Sequence, residues 1–251
     1  MATLSPPVSV HGSQTGKDGG SSLPPVYGRG GDGRNDNDSD GSPDYAARLR
    51  RARLGLAVAI APIVMLFVSF TSAYIVRKGL PTLDEKTNTY VRDWVPVNLP
   101  IALLLVNTGL LLLSSIAAEL ARRQITREAA LASVRSIPGV SLGPGKRFPW
   151  LGITVVLGGG FLTGQWFAWH LLAERGVYLA TSASSAFVYL LTATHAVHLM
   201  GGMLVLLYAA IVSLLHKPVE ARRIVVDVTA WYWHFMFLLW VYILALLWFV
   251  G

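Results

Sequence analysis

Five long apolar runs divide the chain, at positions 55–76, 99–118, 150–172, 184–215 and 228–250. Each has about 20 residues or more, so a helix rising about 1.5 Å per residue crosses a hydrocarbon core of ~30 Å. Leu, Ala and Val continue through every run without the alternation of a barrel strand, so the runs predict helices. The fourth is longer than a crossing needs and is expected to begin as an interfacial turn or to tilt. The expected fold is all-α, a polytopic bundle of five transmembrane helices over residues 45–251. Residues 1–44 have no apolar period and are rich in Gly, Ser, Pro and Asp, as in GRGGDGRNDNDSD. Such a segment buries too little surface to offset its ordering entropy and is expected to be a disordered cytoplasmic tail. It lacks the apolar centre of a signal peptide.

The polar flanks orient the bundle. Arg48, Arg50, Arg51 and Arg53 precede the first run. Arg122, Arg123, Arg127, Arg135, Lys146 and Arg147 follow the second, and Lys217, Arg222 and Arg223 follow the fourth. Cations in short loops mark the cytoplasmic side, which places the N-terminus inside and the C-terminus on the periplasmic side. The loop after the third run carries only Arg175. The loop after the first opposes the pattern with Arg77, Lys78, Lys86 and Arg92, but Asp84, Glu85 and Asp93 accompany them.

Composition agrees. Charged residues make up 14% of the chain, against about 25% in soluble domains. The net charge of +7 gathers beside apolar runs, as membrane flanks do, and implies no nucleic-acid partner. There is no cysteine, which excludes disulfides, thiolate metal sites, iron–sulfur clusters and c-type haem attachment.

Polar residues inside the runs are few. Asn107 and Ser114 share a helix face, with Thr108 and Ser115 beside them, and are expected to form interhelical hydrogen bonds. Gly160, Gly164 and Ala168 recur every four residues, a ridge that lets a neighbouring helix approach. Gln165 follows, and His170 is four residues before Glu174, a spacing for an interfacial pair. Pro62 deprives the Val58 carbonyl of its donor and predicts a kink.

The stretch THAVHLMGG, 194–202, sets His195 and His198 about 60° apart on one helix. Three readings compete. The pair can be hydrogen-bonded packing residues, with Thr192, Thr194 and Tyr232 as partners and Gly201 and Gly202 giving a neighbour room. One of them can share a haem with His234, as in a stand-alone bis-histidine electron carrier. They can belong to a metal site, although no Asp or Glu falls inside an apolar run to complete one. The same scarcity of carboxylates argues against an ion-conducting machine.

Together these landmarks resemble subunit III of the haem–copper terminal oxidases, in its short five-helix form. HAVHLMGG is similar to the family's histidine–x–x–histidine segment followed by glycine. WYWHF, with Trp233 and His234, resembles its last-helix signature, and Trp240 matches a tryptophan beyond it. VNTGLLLLSS, GGGFLTGQWFAWH and MLFVSFTSAYIVRKG resemble further segments in the family's order. The resemblance covers about 54–251. It implies an accessory subunit without a catalytic, cofactor or metal site of its own. Haem and copper would belong to partner subunits, and the chain would pack on oxidase subunit I beside subunit II. It further implies support of proton uptake during oxygen reduction, bound phospholipid, and a prokaryotic inner membrane location. His195, His198, Gly202, His234, Trp233, Asn107, Gln165, Gly160 and Gly164 would be structural, lipid or subunit contacts. Two positions depart from the family, which often has carboxylates where Ile63 and Phe237 stand here. A subunit III-like protein of nitric oxide reductases remains an alternative, and neither cytochrome c nor quinol is singled out as electron donor.

Overall fold

The computed structural model describes residues 43–84, 89–91, 94–135, 149–214 and 219–249. The expected tail lies outside these residues up to position 42. Five helices account for nearly all the rest. They are α1 (Pro43–Gly79), α2 (Ile101–Arg135), α3 (Trp150–Glu174), α4 (Ala183–Leu214) and α5 (Val219–Phe249). All five are long and apolar enough to cross a membrane, and the chain is a multi-pass membrane protein.

Three helices overrun their apolar runs. α1 starts at Pro43, α2 continues to Arg135, and α5 starts at Val219. An apolar run reports where lipid lies, not where the backbone leaves the helix. The overhangs, YAARLRRARL and AELARRQITREAAL, are rich in Ala, Leu, Arg and Glu, all strong helix formers. Pro43 suits a helix start, where its missing N–H costs nothing. Pro62 does not end α1; membrane helices tolerate proline where local adjustments satisfy the freed carbonyl.

A short hairpin absent from the sequence reading joins α1 to α2. Strands β1 (Thr82–Asp84) and β2 (Thr89–Val91) pair antiparallel, with Leu83 opposite Tyr90. Three-residue strands are too short to show alternation.

α2 packs between α3 and α5, and α4 packs between the same two helices on the other side. These four enclose Leu111, Phe161, Leu191, Leu199, Trp233, Met236, Trp240 and Ile243, all buried. α1 lies outside them against α4 and α5. It runs parallel to α5: Arg53 meets Asp227 near the start of both, and Thr71 meets Tyr242 farther along both. Only 6% of the apolar stretch of α1 is buried. Phe67 and Tyr74 anchor it, the Tyr74 ring standing edge-on to Trp94 at 5.1 Å and to Phe187 at 5.5 Å. At the other end, the Arg223 guanidinium lies 5.1 Å from the centre of the Tyr45 ring.

Candidate functional site

Hydrocarbon gives packed helices no hydrophobic reason to associate, so close contact and hydrogen bonds must hold them. Glycines supply the contact at three points. A Cβ at Gly158 would lie 2.7 Å from Met203 Cε and 2.8 Å from Trp233 Cζ2. One at Gly164 would lie 2.0 Å from Asn107 Oδ1, and one at Gly202 would lie 2.7 Å from Tyr232 Cε1. The α3 ridge therefore differs from its sequence reading. Gly160 meets only Leu110, at an ordinary 3.8 Å, and the tight approaches fall at Gly158 and Gly164. Gly201 faces open space, so of the two α4 glycines it is Gly202 that admits α5.

Two indoles tie α5 to α2. Trp233 Nε1 donates to Ser114 Oγ at 3.0 Å, and Ser114 donates to the Thr154 carbonyl of α3 at 2.9 Å. One bond chain thus joins three helices. Two turns along α5, Trp240 Nε1 donates to Thr108 Oγ1 at 2.9 Å. Asn107 is buried against Gly164, and its Nδ2 has no partner among the described residues.

The histidines behave differently from one another. His198 Nδ1 lies 2.7 Å from the Thr194 carbonyl, and Tyr232 donates to the His198 carbonyl at 3.0 Å. Its ring stands edge-on to Phe67 of α1, centroids 6.1 Å apart. His195 is fully buried, and neither ring nitrogen has a hydrogen-bond partner among the described residues. The expectation of a hydrogen-bonded pair therefore fails for His195. Thr192 is already engaged with the Val188 carbonyl and with Trp169 Nε1. Aromatic rings surround His195 instead, Trp240 at 5.2 Å and Phe161 at 5.9 Å with an interplanar angle of 85°. Such an edge-to-face contact lets a polarised ring edge meet a π face.

His234 turns to α2, where Nδ1 lies 2.5 Å from Ser115 Oγ and Nε2 lies 3.5 Å from Glu119. These contacts of His234 are with α2, whereas the α4 histidines contact other residues of α5. His195 lies against Trp240, its ring tilted 33° to the indole, six residues or about 9 Å along α5 from His234. His198 meets Tyr232, which leaves α5 about 160° away from His234. Among the described residues, no group of three His, Asp or Glu side chains could hold a metal ion. His170 Nδ1 lies 3.2 Å from Glu174 Oε1, both exposed.

The charged end of the bundle holds residues that the sequence reading missed. Asp227, buried on α5, accepts from Arg53 of α1 at 2.9 and 3.2 Å and from Arg122 of α2 at 3.3 Å. Glu119 accepts from Arg122 and Arg123 at 2.8 Å each. The buried Arg222 lies 3.9 Å from Glu128. Glu119 and Asp227 stand one residue beyond their apolar runs, so a search confined to those runs passes over both. Ser115, His234 and Glu119 have the order of nucleophile, base and acid. Ser115 is buried and engaged with His234, so the trio fastens α2 to α5.

No protein-family model matches the chain. Named relatives do. The chain is 29% identical over 101 residues to a probable cytochrome c oxidase subunit 3 of Nocardia farcinica, covering 40% of this chain and 50% of the relative. It is 27% identical over 101 residues to cytochrome c oxidase subunit 3 of Corynebacterium diphtheriae, 40% of this chain and 49% of that one. Over 102 residues it is 31% identical to cytochrome c oxidase subunit 3 of Bacillus sp. strain PS3, 41% and 49% respectively. The chain thus spans about half the length of the curated relatives it matches. These relatives support the subunit III assignment read from the sequence.

Proposed function

We propose that this chain, similar in part to cytochrome c oxidase subunit 3, is a non-redox accessory subunit of an aerobic haem–copper terminal oxidase. It packs on catalytic subunit I, beside subunit II, in a prokaryotic inner membrane with its N-terminus in the cytoplasm. Haem and copper reside in those partners. The observation that carries this reading is the shared subunit 3 name of relatives from three bacterial genera. The five-helix bundle with its aromatic-packed histidine is compatible with it.

Support of proton uptake belongs, on this reading, to the charged end. The interior offers poor conduction. On α2 the polar level of Ser114 and that of Asn107 stand seven residues, about 10 Å, apart. Buried Leu111, Phe161, Leu199 and Met236 occupy the intervening turns of the four core helices. Ile63 and Phe237 are apolar and packed against the core, so a role that needs carboxylates there does not apply. Glu119, His234 and Asp227 remain as titratable groups at the end where protons would be collected. A cavity of about 190 Å³ opens there, lined by Ile125, Leu151, Ala210 and Val226 with Gln124 and Ser213. Its size and position suit the part of a phospholipid next to the headgroup.

Affinity capture of the tagged full chain from solubilised membranes tests the proposal. A haem–copper oxidase catalytic subunit is the expected companion. A nitric oxide reductase catalytic subunit in its place, or no haem–copper subunit at all, would overturn it.

A further inference from the structure

Three buried polar groups in the four-helix core lack a hydrogen-bond partner among the described residues: Asn107 Nδ2, the His195 ring nitrogens and Gln165 Oε1. Such groups are rare in folded proteins, and each calls for a physical account. Asn107 is pressed against Gly164, and His195 is enclosed by Trp240 and Phe161. Gln165 differs, because it borders a cavity. That cavity lies among α2, α3, α4 and α5, and Gln165, Thr192, Trp169, Ala168 and Trp240 line it with apolar neighbours. Gln165 is 3% exposed, and so is Thr192.

The cavity is otherwise apolar, and Gln165 and Thr192 bring the side-chain oxygens to its lining. Thr192 Oγ1 donates to the Val188 carbonyl at 2.7 Å and accepts from Trp169 Nε1 at 3.1 Å. A hydroxyl oxygen has two lone pairs, so one remains for a further donor. Gln165 Oε1 is a second acceptor without a donor. Both residues border the same small space, and an occupant with two donor hydrogens would satisfy both oxygens. The free space is about 10 Å³, at the lower bound for one water and far below the needs of a lipid chain.

We infer that this cavity is a site for a single internal water, which donates one hydrogen to Gln165 Oε1 and the other to Thr192 Oγ1. The water joins α3 to α4 where no direct side-chain bond between Gln165 and Thr192 exists. It removes the desolvation penalty of a buried amide that helices in hydrocarbon cannot otherwise offset. The inference stands apart from the proposed oxidase role, since it rests on the bundle interior alone.

Magnetisation transfer from water to labelled glutamine side chains tests it, using the full chain in lipid bilayers by solid-state NMR. The chain has three glutamines, Gln14, Gln124 and Gln165, and Gln165→Met identifies the Gln165 signal by its loss. Transfer from water to the Gln165 amide is expected in the unsubstituted chain. Ala168→Val, which puts extra carbons into the cavity, should abolish that transfer and leave the signal of half-buried Gln124 unchanged. Transfer to Gln124 but none to Gln165 in the unsubstituted chain would overturn the inference. So would transfer to Gln165 that survives in a folded Ala168→Val chain. The unsubstituted chain decides alone if that variant does not fold.

Discussion

Asn107 of α2 lies so close to the backbone of Gly164 of α3 that a methyl group at 164 would sit 2.0 Å from its amide oxygen. Asn107 is buried and cannot swing into open space. Gly164→Ala should therefore force α2 and α3 apart and cost about 1–3 kcal/mol, the usual range for overpacking. Denaturant titration of the chain in mixed micelles reads the loss. The double variant Asn107→Ala with Gly164→Ala should recover part of it, because the colliding amide is gone. An additive double variant would show that the two residues do not meet.

Ser114 both receives the Trp233 indole and donates to the Thr154 carbonyl. Ser114→Ala leaves the buried Trp233 N–H unpaired and takes a second donor from the Thr154 carbonyl, which keeps its helical bond. Interhelical hydrogen bonds in membranes contribute about 0.6 kcal/mol on average and up to about 1.7, and a doubly engaged hydroxyl belongs near the upper value. Ser114→Ala should thus destabilise the bundle by about 1–2 kcal/mol. In the same titration Thr163→Ala, at an exposed residue that bonds only its own helix, should have little effect.

Asp227 is the joint between α1 and the rest of the charged end, accepting from Arg53 and Arg122. Asp227→Asn keeps the shape and removes the charge. Because α1 is held by few contacts, its first turns should loosen while the four-helix core persists. Trypsin should cut faster among Arg48, Arg50, Arg51 and Arg53, with the α2–α5 fragments protected as before. Unchanged cutting at these arginines would mean that the ion pair does not hold α1.

His195 separates an aromatic fastening from a ligand. Its nitrogens have no hydrogen-bond partner among the described residues, and its contacts are the rings of Trp240 and Phe161. His195→Phe keeps the ring and should cost under about 1.5 kcal/mol, as volume-conserving changes do. His195→Ala opens a cavity and should cost about 2–5 kcal/mol, seen as weaker retention in the assembly with electron transfer through its remaining subunits intact. Equal damage from both variants would show that the imidazole nitrogens matter.

The helices were legible because a bilayer crossing needs an apolar length that few other structures need. Partnerships between helices were not. Trp233 and Ser114 are 119 residues apart, and Trp240 and Thr108 are 132 apart. The face each helix presents depends on its rotation, which helical spacing within one helix does not set. For that reason the small-residue ridge of α3 was legible as a contact, and Gly164 makes one, yet the other tight approach falls at Gly158 rather than Gly160. Glu119 and Asp227 were missed because both stand just beyond apolar runs, on helical overhangs that hydropathy does not mark. His195 was legible as buried, but its aromatic enclosure depends on two other helices, α3 and α5, meeting there.

The central claim is that this chain supports a haem-bearing partner without carrying a redox centre itself. Reduced-minus-oxidised visible spectra test it most directly, recorded on the captured assembly and again on the chain after detergent separates it from its companions. Haem bands should be present in the assembly, follow the catalytic subunit on separation, and leave the chain colourless. Haem absorbance that stays with the separated chain, or an assembly with none, would contradict the claim.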